Sequence, residues 1–118
     1  MMNNFSKSIG FSHAVRGILY ALKTQLNMRL HFWVAVVVLL LAWVMGITGL
    51  ELLWLILAIF MVIVTELLNT AVETVVDLLS PGYHPLARNA KDVAAGAVLM
   101  AALHSLVVAF FVFGRRII

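Results

Sequence analysis

The sequence contains no cysteine, only two prolines and few charged residues, which make up 11% of its 118 residues. The absence of cysteine excludes a disulfide framework, a thiolate nucleophile and a cysteine-based metal site. Soluble domains carry about 25% charged residues. Because hydrophobic residues make up 64% of this chain, its composition indicates a membrane protein instead.

The sequence shows no basic cluster, and we predict no secretion signal. The formal net charge is only +3 and the basic residues are scattered, so we predict no nucleic-acid partner. The first residues, MMNNFSKSIGF, lack the apolar run and the cleavage site of a signal peptide. This length leaves room for a single domain, because three spans of roughly 20 residues each would take over half of it.

Three hydrophobic segments are long enough to cross a membrane. We place the spans at residues 30–48, 51–79 and 87–114. Glycines at 46 and 49 mark the first turn, and Ser80-Pro81-Gly82 ends the second helix. The third span begins with many alanines, which permit close helix packing. The sequence therefore predicts an all-α integral membrane protein with one domain, residues 1–118.

A basic amphipathic helix precedes the spans, at residues 5–28. From Ile9 onward its apolar residues recur at three- and four-residue steps, with Lys7, Arg16 and Lys23 between them. The helix is too polar to span a membrane. It either lies on the surface, in the membrane interface, or packs on its own helical bundle.

Basic residues near the span ends indicate the orientation. Those on one side are Lys7, Arg16, Lys23, Arg29, Arg88 and Lys91. Only Arg115 and Arg116 fall on the other side. By the positive-inside rule, the first side faces the cytoplasm.

Four polar residues form a stripe on the second span helix. At about 100° per residue, Glu66, Asn69, Glu73 and Asp77 fall within roughly 80° of one another. Glu66 lies roughly 22 Å along the helix from Glu51, within a hydrocarbon core of roughly 30 Å. An acidic residue at the centre of a membrane helix costs roughly 2.5–3.5 kcal/mol on insertion scales. The stripe must therefore face protein, water, a cation or a substrate.

Two interpretations of this stripe stay open. It is either a functional site that reaches from the membrane to the cytoplasmic surface, or a set of groups that joins helices and pairs with Lys91, Arg88 and Arg29. Three carboxylates in register favour the functional interpretation, because each of them is expensive to bury.

Four short motifs carry a resemblance to a known family. They are Glu-Leu-Leu-Asn-Thr-Ala-Val-Glu at 66–73, Val-Val-Asp at 75–77, Tyr-His-Pro-Leu-Ala at 83–87 and Ala-Lys-Asp at 90–92. Together they resemble the prokaryotic diacylglycerol kinase family over nearly the whole chain. The Tyr-His-Pro-Leu-Ala motif is similar to that of its undecaprenol kinase branch.

The resemblance implies a homotrimeric bundle in the bacterial cytoplasmic (inner) membrane, with active sites shared between neighbouring subunits on the cytoplasmic side. Each site would transfer the γ-phosphoryl group of ATP, with Mg²⁺, to the hydroxyl group of a membrane lipid alcohol. The lipid substrate would be undecaprenol or diacylglycerol, and the product undecaprenyl phosphate or phosphatidic acid.

The same motifs imply roles for individual residues. Glu66 would be the general base on the lipid hydroxyl, and Asn69 would support its position. Glu73 would bind the metal beside the ATP phosphates. The residues expected to contact the nucleotide or to lie near it are Tyr83, His84, Lys91 and Asp92.

One position departs from the family pattern. Where the family carries a second metal-binding glutamate, Lys-Thr-Gln-Leu-Asn-Met-Arg-Leu-His (23–31) has Gln25. Its neutral amide oxygen could still bind Mg²⁺, but more weakly than a carboxylate would. The alternatives to an active kinase are therefore a catalytically impaired pseudokinase or a cation-binding membrane protein.

The four histidines divide into two pairs. We expect His31 and His84 near the site, because they flank Gln25 and the loop after the second span. His13 and His104 are expected at the membrane interface or in helix packing. A zinc site is not predicted, because no suitable ligand spacing occurs.

Overall fold

The structure, a computed structural model, describes residues 4–117, with side chains from Gly10 onward. The side chains of Lys7 and Ile9 lie outside the described residues. Four helices form: α1 (Asn4–Thr24), α2 (Leu26–Val44), α3 (Gly49–Leu79) and α4 (Pro85–Ile117). The described residues contain no strand, and α2, α3 and α4 are each long and apolar enough to cross a membrane. The predicted all-helical membrane fold is confirmed.

Helix α3 is much longer than α2. At 1.5 Å per residue, the 31 residues of α3 span about 46 Å, whereas the 19 residues of α2 span about 28 Å, close to the thickness of the hydrocarbon core. A short turn joins the two helices, so α3 starts level with the end of α2. The surplus length therefore lies at the Leu79 end of α3, which stands clear of the hydrocarbon.

The turn between α2 and α3 is built on glycine. Gly46 has φ +69°, a left-handed conformation that favours glycine. The N–H of Gly46 donates to the Trp43 carbonyl (3.2 Å), and the N–H of Ile47 donates to the Ala42 carbonyl (2.9 Å). This is a Schellman cap, which satisfies the last carbonyls of α2. The Ile47 side chain packs beside Ala42 in the core.

The break between α3 and α4 lies where the sequence predicts it. The hydroxyl of Ser80 donates to the Gly82 carbonyl at 3.0 Å, which holds the loop after Leu79. Helix α4 then begins at Pro85, whose missing N–H costs nothing in the first turn of a helix.

Helix α3 is the centre of the molecule. Both α2 and α4 pack on it, but within the described residues α2 and α4 do not approach each other closely. The buried residues of α3 all lie on one face: Leu55, Ala58, Val62, Glu66, Asn69 and Thr70. The face is apolar near the α2–α3 turn and becomes polar towards Leu79, so the stripe predicted from the sequence continues the core.

Helix α1 is largely uncovered. Its side chains from Gly10 to Tyr20 are exposed, including Phe11 and Leu19, and its one buried side chain in the described residues is Ala21. A helix that lies in the membrane interface exposes an apolar surface of this kind in the isolated protein, because the membrane covers that surface. The interfacial position of α1 stays a prediction.

The predicted helix at 5–28 is interrupted. Helix α1 ends at Thr24, Gln25 is extended (φ −114°, ψ 113°), and α2 begins at Leu26 rather than at residue 30. The guanidinium of Arg29 donates to the carbonyls of Leu22 (2.8 Å) and Lys23 (3.0 Å). These bonds satisfy the end of α1, which explains why the helix stops there.

The other helix ends lie within a few residues of the predicted spans. Helix α4 runs from Pro85 to Ile117, against the predicted 87–114. That the whole chain is one lipid kinase domain stays a prediction.

Candidate active site

Glu66 is an almost fully buried carboxyl group inside a membrane-spanning helix. It is 1% exposed, and its Oε2 lies 3.7 Å from Nε2 of His31 on α2. The carboxyl group is therefore held between two helices. Since ionisable groups within a membrane are expensive and usually functional, Glu66 is the strongest candidate for a reactive group.

Asn69 and Glu73 continue the site towards the Leu79 end of α3. The amide Nδ2 of Asn69 donates to Oε1 of Glu73 at 3.3 Å. The other amide atom, Oδ1 of Asn69, is buried and has no hydrogen-bond partner among the described residues. An unpaired buried carbonyl oxygen is costly, so a donor or a cation from outside the subunit would complete this position.

Gln25 and Glu73 lie at the same depth. Helices α2 and α3 are antiparallel and meet at His31 and Glu66. Gln25 precedes His31 by about 9 Å of helix, and Glu73 follows Glu66 by about 10 Å in the same direction. The Gln25 side chain makes no capping hydrogen bond at the start of α2. By this estimate the Gln25 backbone lies at about the depth of Glu73, and the role of Gln25 as a metal ligand stays a prediction.

The donor set suits Mg²⁺ that arrives with a nucleotide. The described residues contain no group of three or more His, Cys, Asp or Glu side chains that could hold a metal ion. However, the Glu73 carboxylate and Oδ1 of Asn69 are the hard oxygen donors that Mg²⁺ prefers. This ion commonly takes one or two carboxylates and completes its shell with water and substrate phosphates. The residues present fit that kind of site.

A second cluster surrounds the loop between α3 and α4, with members on both helices. The ammonium of Lys91 contacts Oδ1 of Asp77 at 2.6 Å. Together with Tyr83, His84 and Arg88, these residues line a shallow pocket of about 150 Å³. Three of the four residues predicted to lie at the nucleotide, Tyr83, His84 and Lys91, are thus brought together.

Asp92 is the predicted nucleotide residue that the pocket does not include. Its carboxylate faces Arg88 at 3.5 Å, one turn earlier on α4. His84 has a fixed arrangement within the pocket, because its Nδ1 accepts the backbone N–H of Leu86 at 3.1 Å. Its Nε2 is therefore the ring atom left to contact a ligand.

The structure supports a different interpretation at each end of the stripe. Its outer end behaves as the structural interpretation predicts, because Asp77 pairs with Lys91. Its inner end does not: within the described residues, neither Glu66 nor Glu73 has a Lys or Arg partner. Arg29 is engaged with the carbonyls of α1 instead. Within the part of the chain that the structure describes, the inner carboxylates therefore lack a lysine or arginine counter-charge, and His31 is the basic side chain beside Glu66.

Sequence reasoning did not find two features of the site. It expected His31 near the site because of Gln25, but not its contact with Glu66, because the register of two antiparallel helices cannot be read from either helix alone. It placed Asp77 in the stripe, but not the single pocket that Asp77 and Arg88 line together.

Three helices of membrane-spanning length define a multi-pass membrane protein, and α3 carries a buried carboxyl group and, at its Leu79 end, an exposed, partly basic pocket. A model of the family described as "Prokaryotic diacylglycerol kinase" matches residues 12–113. The chain belongs to this family, which confirms the predicted family and the predicted enzyme class, a lipid kinase.

Several relatives are similar along most of the chain. A diacylglycerol kinase of Synechocystis is 43% identical over 101 residues, which cover 85% of this chain and 58% of the relative. An undecaprenol kinase of Bacillus subtilis is 39% identical over 112 residues, which cover 95% and 89%. A diacylglycerol kinase of Haemophilus influenzae is 31% identical, with 80% and 86% covered. The chain thus spans just over half of the first relative and most of the other two.

Proposed function

We propose that this protein is an ATP- and Mg²⁺-dependent lipid kinase that phosphorylates the hydroxyl group of a membrane lipid alcohol. The observation that carries the proposal is Glu66, a buried carboxyl group at membrane depth beside His31, joined by one polar stripe to an exposed pocket. A lipid hydroxyl can reach Glu66 from the membrane, and a nucleotide can reach the pocket from water. The names of the relatives support both undecaprenol and diacylglycerol as acceptors.

In this mechanism Glu66 is the general base. It takes the proton of the lipid hydroxyl as the hydroxyl oxygen attacks the γ-phosphorus of ATP. A new O–P bond forms, the bond from the γ-phosphorus to the bridging oxygen breaks, and ADP leaves with that oxygen. Asn69 holds Glu73 through its Nδ2 and keeps the stripe in one orientation. Such reactions depend mainly on positioning and on charge neutralisation.

Glu73 and the residues around it would hold Mg²⁺. Glu73 would supply a carboxylate and Gln25 a neutral oxygen at about the same depth, and Mg²⁺ held there would supply positive charge for the ATP phosphates. Lys91 adds a second positive charge near those phosphates. Since Lys91 contacts Asp77 at 2.6 Å, binding of a phosphate must compete with that carboxylate.

The cytoplasmic location and the trimer belong to the same proposal. Most of the basic residues lie on the same side of the membrane as the Leu79 end of α3 and the pocket that contains Arg88 and Lys91. By the positive-inside rule, this side of the bacterial inner membrane faces the cytoplasm. The unpaired Oδ1 of Asn69 supports a site that a neighbouring subunit completes. A homotrimer with shared sites would supply that neighbour.

The experiment is a comparison of two Glu-to-Gln variants of α3. Glu66→Gln removes the base and should lower lipid phosphorylation by about 10²- to 10⁴-fold. Glu51→Gln is the matched control: it lies on the same helix but at the opposite end, where it pairs with Arg116 at 2.9 Å, and it should keep most of the activity. Equal activity of the two variants would rule out Glu66 as the base.

The pseudokinase alternative rests on Gln25 alone. It predicts that the unmodified protein binds lipid and nucleotide without turnover. The cation-binding alternative predicts ion flux in liposomes without ATP, and no contact among the described residues favours it over the kinase.

A further inference from the structure

Arg115 and Arg116 lie at the end of the molecule away from the candidate active site. Both belong to the last turn of α4, and Arg116 pairs with Glu51 in the first turn of α3 at 2.9 Å. The two arginines therefore lie level with the α2–α3 turn, at the other surface of the membrane from the Leu79 end of α3. The proposed kinase mechanism uses neither of them.

The two arginines differ in their partners. Arg116 contacts the Glu51 carboxylate, and its Nη1 also donates to the Val112 carbonyl at 3.4 Å. Arg115 is exposed and forms no salt bridge with any residue that the structure describes. Among the described side chains, Glu51 is the one acidic group at this end, because the others lie between positions 66 and 92. Arg115 thus carries a positive charge that no described side chain neutralises.

An apolar groove leads from Arg115 towards the middle of the membrane, between α3 and α4. Its volume is about 350 Å³. Val108 and Val112 line it from the side of the core, and Trp54 and Val107 stand in its walls. From Arg115 to Val107 the groove follows about 12 Å of helix. Its length therefore suits the upper part of a hydrocarbon chain.

A second groove leads from Arg115 along the lipid-facing side of α4. Its volume is about 390 Å³, and Phe110, Phe111, Gly114 and Arg115 line it. The two phenylalanines are 67% and 61% exposed, and their rings meet edge to face at 5.9 Å. Phe111 lines both grooves and separates them, and Arg115 also lines both. The positive charge therefore lies where two apolar grooves meet.

This arrangement matches the chemistry of a diacyl phospholipid, in which two hydrocarbon chains are joined below one phosphate. A guanidinium binds a phosphate through two parallel hydrogen bonds. A free phosphate ion would use Arg115 alone and would gain nothing from the grooves. A zwitterionic headgroup would bring its own cation close to Arg115 and Arg116, whereas an anionic headgroup brings only the charge that Arg115 lacks.

We propose that Arg115 and the two grooves bind one anionic diacyl phospholipid of the leaflet at the α2–α3 turn. Its phosphate lies at the Arg115 guanidinium, and one acyl chain lies in each groove. The two arginines then have different roles, because Arg116 joins α4 to α3 and Arg115 holds the lipid. This site is separate from the candidate active site and does not depend on the kinase function.

Two tryptophans provide a matched test. Trp54 lines the groove between α3 and α4, whereas Trp43, near the same end of the molecule, lines neither groove. Full-length protein with Trp54 as its single tryptophan (Trp33→Phe, Trp43→Phe) would be placed in phosphatidylcholine vesicles. These would contain increasing shares of brominated phosphatidylglycerol or brominated phosphatidylcholine, whose bromine quenches tryptophan fluorescence. We expect half-maximal quenching of Trp54 at an about fivefold lower share of the brominated phosphatidylglycerol. With Trp43 as the single tryptophan, the two lipids should quench alike.

Variants of Arg115 show whether its charge produces the preference. Arg115→Gln should remove the difference between the two lipids at Trp54, and Arg115→Lys, which keeps a phosphate-binding charge, should retain much of it. Arg16→Gln removes the same charge from the exposed α1 and should leave the difference unchanged. Equal quenching of Trp54 by both lipids, or a preference that persists in Arg115→Gln, would overturn the inference. So would the absence of quenching because a neighbouring subunit fills the groove.

Native mass spectrometry tests the groove apart from the charge. Val107 and Val37 are 55% and 60% exposed, but Val37 lines neither groove. The full chain in detergent would be offered equal amounts of phosphatidylglycerol and phosphatidylcholine. Val107→Phe should lower the share of protein that retains phosphatidylglycerol by about fivefold or more, and Val37→Phe should leave it unchanged. An equal loss in both variants, or no loss in either, contradicts the inference. Neither measurement needs turnover, so both are independent of the kinase proposal.

Discussion

At the scale of single residues, Asn69 stands between Glu66 and Glu73 on the polar stripe of α3 and contacts Glu73. Its Nδ2 donates to Glu73, while its Oδ1 is buried without a partner in the described residues. The first contact fixes the direction of the Glu73 carboxylate. The unpaired oxygen leaves a position for a ligand or a neighbouring subunit. One amide group thus contacts the proposed metal ligand and leaves an unpaired oxygen at the site.

Removal of this amide should weaken the metal site. Without the hydrogen bond from Asn69, Glu73 is free to turn, so we expect Asn69→Ala to lower activity by about 10- to 100-fold and to raise the Mg²⁺ concentration needed for half-maximal rate. Thr74→Ala is the control, because the Thr74 hydroxyl bonds only to the Thr70 carbonyl of its own helix (2.8 Å). An unchanged Mg²⁺ requirement in Asn69→Ala would show that Asn69 does not orient a metal ligand.

At the scale of helices, the junction between α1 and α2 determines the position of Gln25. The extended backbone at this residue separates the exposed α1 from the first span, and Arg29 holds the junction closed. Gln25 therefore stands at the depth of Glu73 without being part of either helix.

A carboxylate at this junction should strengthen metal binding. Gln25→Glu adds a charged oxygen ligand, so the Mg²⁺ concentration for half-maximal rate should fall by roughly tenfold or more. Asn27→Asp adds the same charge at an exposed position two residues away and should change it little. If both variants behave alike, a general charge effect explains the result, and Gln25 lies outside the metal site.

The turn after α2 gives a prediction about stability. Gly46 and Gly17 both have open space where a Cβ would stand, but only Gly46 has a positive φ. Gly46→Ala should therefore destabilise the fold by about 1–2 kcal/mol. Gly17→Ala, within α1, should stabilise its helix by about 0.5–1 kcal/mol. Unfolding in SDS micelles measures both changes. A loss of stability in Gly17→Ala as large as that in Gly46→Ala would contradict this account of the turn.

The helices and their breaks could be predicted from the sequence because each has a local cause. Apolar length sets the spans, Gly46 ends α2, and Ser80-Pro81-Gly82 ends α3. The break at Gln25 could not be predicted, because it depends on Arg29 reaching back seven residues to the Leu22 carbonyl. The stripe on α3 was predictable from helical spacing. The contact of His31 with Glu66 was not, since it depends on how two helices slide against each other.

At the scale of the whole molecule, the subunit leaves much of its apolar surface uncovered. Large side chains such as Trp43 and Leu78 are about four-fifths exposed, which suits a protein whose solvent is lipid. The polar end of α3 is different, because Asn69 and Glu73 lack the full set of partners that a closed site needs. Lipid can cover the exposed apolar side chains, but it cannot supply the polar partners that Asn69 and Glu73 need.

A neighbouring subunit is therefore expected at the polar end. Native mass spectrometry of protein released from detergent should show an assembly of three chains of 13.0 kDa each. A protein that is monomeric under conditions where it is active would contradict shared active sites and would require each subunit to bind Mg²⁺ and ATP with its own residues.

The most direct test of the central claim is ATP-dependent phosphorylation of lipid alcohols by the purified protein in mixed micelles, across a Mg²⁺ titration. Undecaprenol and a diacylglycerol would be offered as acceptors, and Glu66→Gln and Glu51→Gln would be assayed beside the unmodified chain. We predict a phosphorylated lipid whose formation requires Mg²⁺, disappears in Glu66→Gln and persists in Glu51→Gln. No phosphorylated lipid at any Mg²⁺ concentration, or undiminished activity in Glu66→Gln, would contradict it.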